Sequence, residues 1–161
     1  MNKFLIVLLL FFPVLIVSQT GDFNKISDAG GGIYFMYFDS SNSKSTIVEF
    51  DDYIVLIEAP IKDQGGNATD MKDHSLKYFL HSHWHPHSVS TVNPFLKAGV
   101  KVVTTELNYS VIKKFVDTAG IKDYNENLVF VTDSLEISDN KNKITAYRFT
   151  KKDFPNVPTD D

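Results

Sequence analysis

Beyond residue 28, hydrophobic positions fall mostly in short runs separated by polar or glycine-bearing breaks, a spacing that favours strands over long helices. Residues 33–38, Ile-Tyr-Phe-Met-Tyr-Phe, predict an aromatic strand. Asp28-Ala29-Gly30-Gly31-Gly32 before it reads as a flexible lead-in. Residues 46–50 and 53–57 are β-rich and flank Asp51-Asp52, which predicts a hairpin. Residues 61–72 are polar, hold Gly65-Gly66 and predict a loop. Residues 76–80 predict a further strand that runs into a cluster of histidines. Residues 89–98 predict a helix with Pro94 in its first turn and Gly99 at its end. A short buried strand is expected at 100–103. Thr105 is placed to cap a helix with Leu107, Val111, Ile112 and Phe115 on one face and Gly120 beyond its end. Residues 128–131, 135–137 and 144–149 predict strands, with a turn at Asp139-Asn140-Lys141-Asn142. The last eight residues are polar and proline-rich and complete no element.

A strand meander followed by strand–helix–strand–helix alternation predicts a mixed sheet covered by helices on one face, an α/β (α+β mixed-sheet) arrangement. The chain has 161 residues, 43% of them hydrophobic, which suits about one globular domain. Net charge is −4, so no basic surface recruits nucleic acid, and no nucleic-acid partner is expected. Cysteine is absent, which excludes a disulfide framework and a cysteine nucleophile.

Before this domain, Lys3 precedes an apolar stretch at residues 4–17 and then Ser18-Gln19-Thr20. That is the layout of a signal peptide spanning 1–18, leaving residues 19–161 as the exported domain in the periplasm or outside the cell. The alternative is an uncleaved helix that anchors the chain, so membrane contact is expected only through this segment.

The chemistry concentrates in His81-Ser82-His83-Trp84-His85-Pro86-His87, which holds four of the five histidines at i, i+2 spacing. An extended backbone puts alternate side chains on one side. Imidazole is the commonest metal ligand among side chains, so the cluster is a candidate metal site with nitrogen and oxygen donors. His83, His85 and His87 are the expected ligands, with His81 as a further candidate. Such a patch also chelates metal without further function. Trp84 is a candidate pocket residue or a packing residue beneath a loop. Pro86 prevents regular strand pairing within the cluster, which belongs at a strand end and in the loop after it. Asn67 and Asn108 each begin an Asn-x-Ser/Thr glycosylation sequence, a short pattern that matches often by chance.

The stretch from Lys77 to Thr91 resembles the metal motif H-x-H-x-D-H of the metallo-β-lactamase-fold hydrolases. His83 and His85 stand at the first two histidines, His87 at the aspartate and Ser88 at the third histidine, with Ser90-Thr91 at the small-residue pair. A register beginning at His81 and His83 puts His85 and Pro86 at the last two positions and misplaces the small pair. Residues 45–60 resemble the family's early hairpin, with Glu58-Ala59-Pro60 at its strand end, where Glu58 either caps the site or closes the strand. Residues 94–104 resemble the helix–glycine–strand that follows the motif. Pro158 stands where the family brings its next histidine, and no histidine follows His87.

The resemblance implies an αββα sandwich of which this chain supplies the N-terminal half. It further implies zinc (one or two divalent ions in the family) and hydrolysis of a small-molecule substrate such as an ester, amide, lactone or thioester. Substituted ligand positions leave three expectations open: an exported metal-dependent hydrolase, truncated or impaired; a non-catalytic remnant or metal-binding module on the same half-fold; and a small periplasmic metal carrier. A half-fold leaves a sheet face uncovered, so a partner chain completing it is also expected.

Overall fold

The computed structural model describes residues 23–38, 43–58, 75–82, 91–150 and 152–153. In chain order these form β1 (Phe23–Gly30), β2 (Ile33–Phe38), β3 (Ser43–Glu49), β4 (Tyr53–Ile57), β5 (Ser75–Leu80), α1 (Val92–Lys97), β6 (Lys101–Thr104) and α2 (Glu106–Thr118). A 3₁₀ turn at Tyr124–Asn127 then leads to β7 (Leu128–Phe130), β8 (Ser134–Ser138) and β9 (Lys143–Tyr147).

Strands β1 to β7 lie side by side in sequence order in one sheet, and β8 and β9 form a second, two-stranded one. The pairings β1–β2, β2–β3 and β3–β4 are antiparallel, the expected meander. From β4 onward the pairings become parallel, through β5 and β6 to β7. Parallel neighbours need a crossover, and α1 and α2 supply it between β5, β6 and β7. The mixed sheet inferred from the order of elements is therefore present.

One face of the sheet packs on the helices: Met36, Ile47, Leu56, Phe79 and Val102 meet Phe95 of α1 and Ile112 and Val116 of α2. Phe79 and Phe95 are stacked with ring centroids 4.2 Å apart. The opposite face packs on the β8–β9 hairpin: Val48, Phe50, Val55, Val103 and Val131 meet Ile137, with Leu135, Ile144 and Ala146 against them. Burial on both sides explains why β4 is a continuous apolar run, with Ile54, Val55 and Leu56 all buried.

Two local expectations need correction. Residues 28–32 are not a flexible lead-in. Asp28 to Gly30 close β1, which pairs with β2 through Ile26–Met36 and Asp28–Tyr34, and the glycines make the turn between them. Gly30, Gly31 and Gly32 all have positive φ, the left-handed conformation that glycine adopts without a Cβ penalty. The turn is fastened from afar: the Asn142 side-chain amide donates to the Glu49 carbonyl at 2.6 Å and the Gly31 carbonyl at 3.0 Å.

The inner face of α2 is also rotated from the expected one. Asn108, Ile112 and Val116 are the buried positions, Val111 and Phe115 are partly buried, and Leu107 is 49% exposed. Hydrophobic spacing puts a leucine inside and an asparagine outside. Here the burial of Asn108 is offset by a hydrogen bond, its amide donating to the Thr104 hydroxyl at 2.9 Å. Gly99 and Gly120, both at positive φ, follow the two helices as expected. Thr105 is the residue before α2, but its side chain makes no capping hydrogen bond.

Candidate functional site

The parallel strands β4 to β7 end at one edge of the sheet, and the open side of that edge is where α/β folds bind ligands. Three backbone bonds carry the ladder past the strand ends. Glu58 N–H donates to the Leu80 carbonyl at 3.0 Å, His81 N–H to the Val103 carbonyl at 2.9 Å, and Val131 N–H to the Thr104 carbonyl at 2.7 Å. A cavity of about 360 Å³ opens here, within the roughly 300–1,000 Å³ typical of small-molecule sites. Ile57, Leu80, Val103 and Val131 give it apolar walls. His81, Ser82, Thr104 and Asn108 line its floor and sides, and Arg148 and Phe149 close it from the end of β9.

His81, the residue after β5, still pairs across the sheet through its N–H. It is 2% exposed, lies 6.2 Å from the Phe79 ring, and its Nδ1 faces the Thr104 hydroxyl at 3.5 Å. Because the same hydroxyl accepts from Asn108, its single proton is available to the imidazole. Phe79 and His81, two residues apart on an extended strand, share the helix-covered face. His81 is thereby built into the layer between sheet and α2. Asn108, 3% exposed in that layer, is not accessible to a glycan.

Glu58 leaves β4 in the left-handed region, at φ 55°. This rare conformation for a non-glycine residue turns the chain at the strand end. Its carboxylate reaches past the end of β5 and accepts the Ser82 backbone N–H at 2.5 Å. Glu58 thus does more than end a strand: it fastens the residue that immediately precedes His83.

His83, Trp84, His85 and His87 lie outside the described residues, as do His74 and Asn67. Among the described residues no group of three histidine, cysteine, aspartate or glutamate side chains comes together. His81 and Glu58 are the residues of ligating type near the rim, too few for the three protein ligands of a catalytic zinc. What the described residues do fit is a mount for the next segment, since Ser82 stands on the cavity wall with its N–H held.

Sequence reasoning misses Thr104, Asn108 and Arg148 as site residues. Thr104 and Asn108 sit four residues apart across the β6–α2 junction, a pattern that is ordinary without the fold. Arg148 carries one visible signal, being the one arginine among the basic residues.

No protein-family model matches the chain, and no curated protein matches its sequence. Solved structures do. The chain superposes on a metallo-β-lactamase from Pontibacter korlensis with a TM-score of 0.56 at 17% identity, covering 76% of this chain and 59% of that one. A metallo-β-lactamase from Hirschia baltica gives 0.50 at 16% identity over 76% and 66% of the two chains. The DIM-1 metallo-β-lactamase, exposed to ceftazidime, gives 0.51 at 10% identity over 76% and 64%.

The fold is that of the metallo-β-lactamases.

The match covers most of this chain and 59–66% of the length of those three structures. The metallo-β-lactamase fold suspected from the histidine motif and its strand-to-helix setting is therefore present, with the first sheet and the β8–β9 hairpin as the described part. Within that fold, the cavity lies at the end of β5, the strand that precedes the histidine cluster in the sequence.

Proposed function

We propose that this chain carries the metal-binding half of an exported metal-dependent hydrolase, acting on a small molecule in the cavity beside His81. The observation that carries this reading is the cavity at the ends of β4 to β7, with Ser82 on its wall one residue before His83. His83, His85 and His87 would hold a divalent ion, zinc by the chemistry of the donors. When bound, the ion supplies Lewis acidity to a carbonyl or a water molecule. The chain's other residues prepare the place. Glu58 holds Ser82 and so fixes where the histidine segment departs. Thr104, whose hydroxyl accepts from Asn108, faces the His81 imidazole just before the same segment. Ile57, Leu80 and Val131 line the cavity with carbon and limit water around the substrate.

Export rests on residues 1–18, and recovery of a chain beginning at Gln19, identified by mass spectrometry, tests it. The metal reading is tested by elemental analysis of the purified chain beside the double variant His83→Ala, His85→Ala. Near-stoichiometric zinc, lost in the variant, supports it, and any hydrolysis that survives in the variant sinks the catalytic assignment.

A second reading, a metal-binding module without turnover, is favoured by His87 at the motif's aspartate position and Ser88 at its third histidine. Bound metal with no hydrolysis of ester, amide, lactone or thioester substrates selects it.

A further inference from the structure

We infer that Tyr53 and Tyr78 form a binding site for a small methylated ammonium cation, and that Lys77 of the same chain occupies it as a tethered competitor. The site lies at the start of β4 and β5, the opposite end of these strands from the cavity, so it stands apart from the hydrolase reading. The backbone puts Lys77 there. Ile54 pairs with Leu76 and Val55 with Tyr78, which leaves Lys77 as the extra residue of a bulge. Bulges are rare in parallel pairs, and they re-aim a side chain. Here the Lys77 ammonium lies 4.4 Å from the Tyr53 ring centroid and 5.6 Å from that of Tyr78. Both distances are within the reach of a cation–π contact, about 6 Å. Lys77 forms no ion pair among the described residues, so its charge rests on the two rings.

The rings form a corner that exists before any ligand arrives. Tyr53 and Tyr78 are 5.9 Å apart and inclined at 62°. Buried Phe50 stacks behind Tyr53 at 4.7 Å and fixes that wall. The corner is reachable from solvent, because Lys77 is exposed and both tyrosines are only partly buried. Its surroundings are acidic. The Asp139 carboxylate accepts the Asp51 N–H at 2.6 Å, two residues before Tyr53. Burial first, and then the Asp139 carboxylate, push the Tyr53 phenol up, so the ring stays neutral. Aromatic faces beside carboxylates select a cation. A primary ammonium is strongly hydrated, whereas aromatic cages recognise methylated ammonium groups. A phosphocholine lipid would bring its phosphate against Asp51, Asp52 and Asp139, and like charges repel, so a dissolved cation fits better.

An NMR titration of the full chain with tetramethylammonium chloride, beside sodium chloride at equal ionic strength, tests this through the Tyr53 and Tyr78 ring protons. A saturable shift is expected with tetramethylammonium alone. Lys77→Ala removes the competitor and is expected to tighten binding about three-fold, the size of one exposed cation–π contact. Tyr78→Leu keeps an apolar side chain, removes one wall and is expected to abolish the saturable shift at Tyr53. No saturable shift in either the native chain or Lys77→Ala overturns the inference. Equal affinity in those two chains overturns the role of Lys77 as competitor, and with it the inference, whether or not Tyr78→Leu folds. Binding retained in a folded Tyr78→Leu also overturns it. So does a chain that ignores tetramethylammonium and sediments with phosphatidylcholine vesicles, since the ligand is then a lipid surface.

Discussion

The Glu58 carboxylate and the Ser82 backbone N–H, 24 residues apart in sequence, meet at 2.5 Å across the ends of β4 and β5. The bond ties the strand next door to the point where the histidine segment begins. Charge-assisted bonds of this kind are short and about twice as strong as neutral ones. Glu58→Ala removes the acceptor and frees the departure of the segment. Residues that orient metal ligands typically change metal affinity by roughly 10–100-fold when lost. A chelator-competition titration is expected to show a loss of that order in Glu58→Ala and a smaller one in Glu58→Gln, which keeps a neutral acceptor. An affinity equal to the native chain in both would detach Glu58 from the proposed metal site.

The layer between sheet and α2 makes a second prediction. Thr104→Val keeps the shape of the side chain and removes the hydroxyl that accepts from Asn108 and faces His81. Leaving the buried Asn108 amide without that acceptor is expected to cost about 1–3 kcal/mol in urea unfolding. The accompanying change in the site should appear in His81 resonances by NMR.

The glycine turn between β1 and β2 separates two effects. At Gly31, with φ +64°, an added Cβ would meet nothing within 4 Å, whereas a Cβ on Gly32, at φ +81°, would meet Asn142 Nδ2 at 3.1 Å and the Glu49 carbonyl at 3.2 Å. Gly31→Ala is expected to cost only the left-handed penalty of about 1–2 kcal/mol. Gly32→Ala carries the same penalty and also displaces Asn142, so it is expected to be the more damaging by thermal unfolding. Equal costs would show that the hairpin gives way freely at this contact.

Asp139 carries a pH dependence. Partial burial works to raise its pKa, but the backbone N–H groups of Asn142, Asp51 and Lys141 that bond its carboxylate outweigh that and hold it below the ordinary carboxylate value. A group whose folded pKa is depressed stabilises the fold above its unfolded pKa, and that stabilisation is lost as pH falls through the folded pKa. Asp139→Asn is therefore expected to lower the unfolding midpoint at neutral pH and to differ less from the native chain as pH drops through the acid carboxylate range. A difference that stays constant across that range would assign the effect to shape rather than charge.

Most of the framework is legible in local patterning. The hairpin around Asp51-Asp52, the strand into the histidines and the glycines after both helices lie where spacing puts them. Such features are written in neighbouring residues: alternation, turn chemistry and a missing Cβ act over a few positions. Thr104, Asn108 and Arg148 are not legible as a group because their meaning depends on distant partners. The rotated face of α2 has the same origin, since Asn108 is inside only because Thr104 of β6 is there to accept from it.

The amino-acid order alone was sufficient to specify a strand meander, a β–α alternation and four histidines at the end of one strand. Each of these follows from interactions between residues a few places apart. The floor and walls of the cavity required the folded chain. They combine His81 after β5, Thr104 of β6, Asn108 of α2 and Arg148 after β9, residues that come together only when parallel strands end along one edge and a hairpin packs on the sheet. Parallel pairing and packing act between segments tens of residues apart, and no local pattern encodes which polar side chain will find its partner there.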